Sequence, residues 1–131
     1  MALAAWPLAG DPQQRLVMVG ITGTNGKSTT AHMVSLMLAA AGMPATFVGT
    51  LGCVLPSGKT VPSPRTTPEA SDLAPLLRRS LRLGGQAVAM EVSSHALVQD
   101  RISGLEFQVA AWTNLTRDHL DFHGDMESYY Q

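Results

Sequence analysis

Residues 16–21 read LVMVGI, a run apolar almost throughout; a Gly/Thr/Asn turn follows at once, and apolar residues then recur at helical spacing over residues 27–41. A strand that passes directly into a helix belongs to a crossover connection, which joins parallel strands, and a strand apolar on both faces must be covered on both. That stretch narrows the fold class to α/β.

The pattern continues downstream. In the helix, Val34, Met37, Leu38 and Ala41 form one stripe and Met33, Leu36 and Ala40 a second, which predicts a helix covered on most sides and ended by Gly42 and Pro44. Residues 45–48 read as a strand, and residues 49–64, rich in Gly, Pro and Ser, as an irregular or hairpin excursion. Thr67, Pro68 and Glu69 offer an N-cap, a first-turn proline and a first-turn acid, predicting a helix over residues 67–83 that Pro75 can kink and Gly84 and Gly85 close. Residues 87–92 form an apolar strand containing one acid, Glu91, and residues 109–113 form the next. At the end, DMESYYQ opens a helix with Asp125 as N-cap. The expected fold is α/β, a mostly parallel sheet with helices on both faces, and no internal repeat is visible.

With 131 residues, 45% of them apolar, the chain can bury one core and is too short for two domains of ordinary size. Nine Lys and Arg against ten Asp and Glu leave a formal charge of -1 without any block of like charge, which argues against nucleic acid or an anionic membrane as partner. The opening MALAAWPLAG lacks the basic segment of a signal peptide, and no stretch approaches the roughly 18 apolar residues of a membrane span, so a cytoplasmic protein is expected. Cys53 has no second cysteine to pair with and reads as a small apolar filler.

Ligands of open parallel sheets bind outside the carboxyl ends of the strands. Three segments of unusual chemistry fall there: GTNGKST at residues 23–29, EVSSH at 91–95 and TNLTRDH at 113–119. In the first, Gly23 and Gly26 let backbone N–H groups turn toward an anion, the helix start adds its positive dipole end, and Lys27 adds a full charge. Ser28 stands where a hydroxyl reaches the magnesium of a nucleotide. The usual GxxxxGK(S/T) spacing would place a glycine at position 21, where this chain has Ile21. Glu91 is the one charge in its strand, so it either pairs with a Lys or Arg or serves a cation. His119 gains weight from its place at a third strand end, His32 reads as packed or solvated, and His95 stays undecided.

TGTNGKST, TTPEA, AMEVSSHALVQDR and TNLTRDHLDFHGDMESYY, in that order, resemble the central ATP-binding domain of the Mur ligases, most closely the MurE type of peptidoglycan synthesis. The resemblance runs from about Leu16 to the end; on that basis residues 1–15 are the end of a linker from an N-terminal UDP-binding domain and residues 16–131 are the central domain, incomplete at its C-terminus. The altered glycine spacing is then the family's own version of the loop. The resemblance further implies that Gly23, Thr24, Asn25, Gly26, Lys27, Ser28 and Thr29 bind the phosphates of ATP. Lys27 would act on the terminal phosphates, Ser28 and Glu91 at one Mg2+, and His119 at a second. Thr66, Thr67, Ser93, Gln99 and Arg101 match positions that contact a UDP-MurNAc-dipeptide, while Thr67 also suits an N-cap and Arg101 a surface ion pair. The implied reaction adds a free amino acid, diaminopimelate or lysine, through an acyl phosphate. The family also uses a carbamylated lysine shortly after the RDHLDFHG segment, expected beyond Gln131, so these residues alone are expected to lack ligase activity. A related ligase such as a cyanophycin or folylpolyglutamate synthetase, or a non-catalytic nucleotide-binding module, remains the alternative.

Overall fold

The computed structural model describes residues 2–116 and 120–130. Its six-stranded sheet runs β4-β3-β2-β5-β1-β6. Here β1 is Val17–Thr22, β2 Ala45–Gly49, β3 Gly52–Val54, β4 Thr60–Val61, β5 Ala87–Glu91 and β6 Val109–Trp112. The four strands β2, β5, β1 and β6 are mutually parallel, while β3 and β4 add antiparallel at one edge. The excursion after β2 is therefore a hairpin.

Alternation along the strands sorts the core into two layers. Met18, Val48, Val88 and Met90 face one side and pack with Trp6, Leu73 and Leu77; Val19, Ile21, Phe47 and Ala89 face the other and pack with Ala31, Val34 and Leu38. The second layer is covered by α2 (Lys27–Ala40), the first by α3 (Ala70–Arg82) and α1 (Ala2–Ala9). On α3 the buried stripe is Leu73, Ala74, Leu77 and Ser80, one face of a 3.6-residue period. Leu73 and Leu77 are fully buried, each worth about 2 kcal/mol of transfer free energy. The helix continues through Pro75, which lies on the solvent face.

Two sequence expectations are revised. The α2 stripe is rotated: Ala31 and Ser35 are buried with Val34 and Leu38 packed beside them, while Met33, Leu36 and Met37 are each more than half exposed. Apolar composition on two faces therefore did not mean cover on two faces. The end of α2 agrees with expectation, since Gly42 donates to the Ala39 carbonyl and Met43 to that of Leu38, the paired bonds of a Schellman stop. The helix expected from Thr67 instead starts at Ala70 behind an extended Glu69, because the Thr67 side chain is engaged elsewhere. Near the N-terminus, α1 forms despite Pro7, and Trp6 is buried at 2% exposure, its indole N–H donating to the Ser103 carbonyl at 2.8 Å.

Strand order also locates a crevice. From β1 the chain crosses over β5 to reach β2, and from β5 it crosses β1 to reach β6, so connections leave these adjacent strands in opposite directions. Such a switch point opens a cleft at the carboxyl ends. The register pairs Ile21 with Glu91, which sets the turn after β1 level with the end of β5.

Candidate functional site

The cleft at that switch point has a volume of about 660 Å³ and is lined by Thr24, Asn25, Gly26, Lys27, Ser28, Thr50, Arg65, Thr66, Glu91, Ser93, His95 and Arg101. Most residues expected at the site meet there. Four do not line it: Gly23 faces a neighbouring cavity, Thr29 is exposed, Thr67 is buried beneath the wall, and Gln99 sits at the surface holding a guanidinium nitrogen of Arg101. His119 lies outside the described residues.

One wall is the turn from Gly23 to Gly26 and the start of α2. Position 21 explains the displaced glycine: Ile21 is a fully buried strand residue, and β1 continues to Thr22 before the turn begins. Gly23 is required for two reasons. Its φ is +126°, and a Cβ there would meet the Thr113 hydroxyl at 2.1 Å. Lys27 Nζ donates to the carbonyl oxygens of Gly23 at 2.7 Å and Thr24 at 3.0 Å, holding its charge over the turn. The N–H groups at the start of a helix have no intrahelical acceptor, so the beginning of α2 presents donors and a positive dipole end to the cleft.

Glu91 anchors the other wall. It is 1% exposed, and among the described residues no Lys or Arg pairs with it. Its carboxylate accepts from the Thr50 backbone N–H at 2.8 Å and the Thr50 hydroxyl at 3.2 Å. The Thr50 hydroxyl also lies 3.0 Å from that of Thr66. Gly49 leaves the space the carboxylate needs, because a Cβ there would meet Glu91 Oε1 at 2.0 Å. Below, the Thr67 hydroxyl donates to the Glu91 carbonyl at 2.9 Å and accepts from the Ser93 N–H at 3.0 Å, so it cannot cap α3. Ser93 is itself the N-cap of α4 (Ser94–Val98), accepting from Ala96.

Arg101 is held on three sides. Its guanidinium donates to the Thr67 carbonyl and to Gln99, and its Nε lies 3.2 Å from Glu69 Oε1. Glu69 also meets Arg65 at 3.3 Å, which places two guanidinium groups at the cleft mouth. Both are lining residues, and both can meet an anionic group.

The donors suit a hard divalent cation. Ser28 and Glu91 offer a hydroxyl and a carboxylate to one cleft, and magnesium is commonly held by one or two protein oxygens with phosphate oxygens and water completing its shell. Among the described residues no group of three or more His, Cys, Asp or Glu side chains could hold a metal, so such an ion would depend on ligand oxygens.

Thr50, Arg65 and His95 line the cleft without having been assigned there from sequence. The rule about strand ends applies to β2 as well as to β1, β5 and β6, and would have found Thr50. Elsewhere, Cys53 is buried, and burial raises its thiol pKa, as suits a core filler. His32 lies on α2 with its ring 5.2 Å from that of Phe47.

A family model described as the Mur ligase middle domain matches residues 21–131. The chain belongs to the Mur ligase family. It is 50% identical over its whole length to a protein of Geobacter metallireducens named UDP-N-acetylmuramoyl-L-alanyl-D-glutamate--2,6-diaminopimelate ligase, covering 25% of that relative. A protein of the same name from Solibacter usitatus is 52% identical over 99% of the chain and 26% of the relative. A Deinococcus radiodurans protein named UDP-N-acetylmuramyl-tripeptide synthetase is 43% identical over 99% of the chain and 27% of the relative. A solved structure of a diaminopimelate ligase of the first name superposes with a TM-score of 0.75 at 30% identity, covering 92% of this chain and 25% of that one. This Mur ligase chain thus spans about a quarter of the length of the relatives it matches. Among the described residues no helix is long and apolar enough to cross a membrane.

Proposed function

We propose that this chain is the nucleotide-binding middle part of an ATP-dependent amide ligase of the MurE type, which adds the third residue to UDP-MurNAc-L-Ala-D-Glu. Residues 16–131 would belong to the central domain and residues 1–15 to the connection from a preceding one. The observation that carries the reading is the shared cleft: Lys27, Ser28 and the start of α2 on one side, Glu91 without a cationic partner among the described residues, and Thr66, Ser93 and Arg101 beside it. The relatives' printed names support the substrate class.

A carboxylate and an amine at neutral pH form a salt, so an amide requires activation. ATP, consumed as co-substrate, would transfer its terminal phosphoryl group to the dipeptide carboxylate with release of ADP. The amine of the incoming amino acid, diaminopimelate or lysine, would then attack the acyl carbon and expel phosphate. Lys27 would leave the Gly23 and Thr24 carbonyls to balance charge on the transferring phosphoryl group. Ser28 and Glu91 would hold magnesium, which when bound neutralises the triphosphate, and His119 would contribute to a second ion. Thr66, Thr67, Ser93, Gln99 and Arg101 would orient the UDP-MurNAc-dipeptide, with Thr67 and Gln99 acting through the residues they hold.

The test is phosphate release by the intact protein that carries this chain, with ATP and magnesium present. UDP-MurNAc-dipeptide together with the amino acid should stimulate release, and Lys27→Ala should reduce it by about a hundredfold or more. Stimulation by another acid substrate but not by the dipeptide would redirect the reading to a related ligase. No acid-dependent release at all would leave a nucleotide-binding module.

A further inference from the structure

The TNLT segment at residues 113–116 leaves β6 beside its neighbour β1 and meets the turn after β1, about ninety residues earlier in the chain. The Asn25 carbonyl receives two donors: the Thr113 hydroxyl at 2.7 Å and Asn114 Nδ2 at 3.0 Å. In return, the Asn25 N–H donates to Asn114 Oδ1 and the Thr24 N–H to the Asn114 carbonyl, each at 3.0 Å. Thr24 is tied as well, its hydroxyl accepting from the Thr116 N–H at 3.0 Å and lying 3.0 Å from the Tyr129 hydroxyl.

These bonds have a directional consequence. A trans peptide is planar, with its C=O and the following N–H pointing to opposite sides. Holding the Asn25 carbonyl toward Thr113 and Asn114 therefore turns the Gly26 N–H away from them, and Gly26 lines the cleft. The Thr24 and Asn25 amides face Asn114 and are already engaged, so anion recognition falls to Gly26 and the first residues of α2. Gly23 belongs to the same device, since the Thr113 hydroxyl occupies the space a side chain would need.

We propose that Thr113 and Asn114 are positioning residues of the phosphate loop, fixing the Asn25–Gly26 peptide so that its N–H faces the bound anion. The inference rests on the reading of the loop as a phosphate site. Asn114 is exposed and Thr113 half-buried, so their hydrogen bonds act on the shape of the loop and contribute little to the core.

The experiment compares Thr113→Val, which keeps the shape and removes the hydroxyl, with Thr113→Ser, which keeps the hydroxyl, and adds Asn114→Ala. Magnesium-ATP and adenosine are titrated calorimetrically into the intact protein that carries this chain, and backbone hydrogen exchange is followed without nucleotide. Thr113→Val and Asn114→Ala should each weaken ATP binding about tenfold with little shift of the unfolding midpoint, and Thr113→Ser should stay within about twofold. In Asn114→Ala the Asn25 amide, which loses its Oδ1 acceptor, should exchange at least about tenfold faster. Equal losses in the Val and Ser variants, or unaltered affinity and exchange in all three, would overturn the proposal. If the native chain does not bind ATP more tightly than adenosine, the phosphate reading itself falls, and the exchange measurement still decides whether the segment holds the loop.

Discussion

The loop wall of the cleft offers Gly26 and the start of α2 with Lys27 and Ser28 and is held from behind by residues 113–116, whereas the Glu91 wall presents side chains and is held by a chain of threonine hydroxyls. On the proposed reading, a wall of amides would meet a feature shared by all phosphates. A wall of Thr50, Thr66, Ser93 and Arg101 can distinguish one substrate from another, because each side chain contributes its own shape and donor pattern. The two walls meet where β1 and β5 end side by side, so both rest on the same pair of strands.

Two glycines offer the strongest way to separate the walls. Gly23→Ala adds backbone strain at positive φ to a clash with Thr113 and should destabilise the chain by about 3 kcal/mol while abolishing tight ATP binding. Gly49→Ala meets only side chains, Glu91 and Phe47, and should cost about 2 kcal/mol, with magnesium dependence of ATP binding altered more than binding itself. Urea unfolding and calorimetry on both variants would check the order. Equal effects on nucleotide affinity would mean that the walls are not independent.

A smaller effect is expected from Thr67→Val, which leaves the Ser93 N–H and the Glu91 carbonyl without their partner. Stability should fall by about 1–2 kcal/mol, and dipeptide affinity should fall more than ATP affinity. The smallest is a pH effect on the outer support of the loop wall. Asp125 caps α6 (Met126–Tyr130), and the Ser128 N–H holds its carboxyl below the ordinary carboxylate range. A lowered folded pKa stabilises above the unfolded value, and that contribution fades as pH falls through the folded one. Below about pH 4, protection of the Ser128 amide relative to an unfolded chain should fall before that of the sheet amides, and Asp125→Ala should remove that fall.

What could be read in advance follows from how far each interaction reaches along the chain. The strands, α2, its Gly42 stop and the Asp125 cap depend on neighbours within a few residues, and local pattern reports them. Thr67 was misplaced as a cap because its partners, Glu91 and Ser93, lie 24 and 26 residues away. The same limit hid the hold of Asn114 on Asn25, 89 residues away. Met33, Leu36 and Met37 show another gap: apolar character is visible in sequence, but which side a neighbour covers is decided by strand order. Two of the cleft's strand ends, those of β1 and β5, were found from their unusual residues; Thr50 follows an ordinary apolar strand and drew no notice.

Ile21 carries a consequence beyond spacing. Because β1 continues to Thr22 and α2 begins at Lys27, only residues 23–26 are free of regular structure, and the turn hangs between a strand anchored by buried Ile21 and a helix anchored by buried Ala31. A turn so short has few alternative conformations, so ordering it around a ligand loses little conformational entropy. Where a longer glycine-rich loop would have to give up its freedom on each binding event, this one gave up most of it when the chain folded.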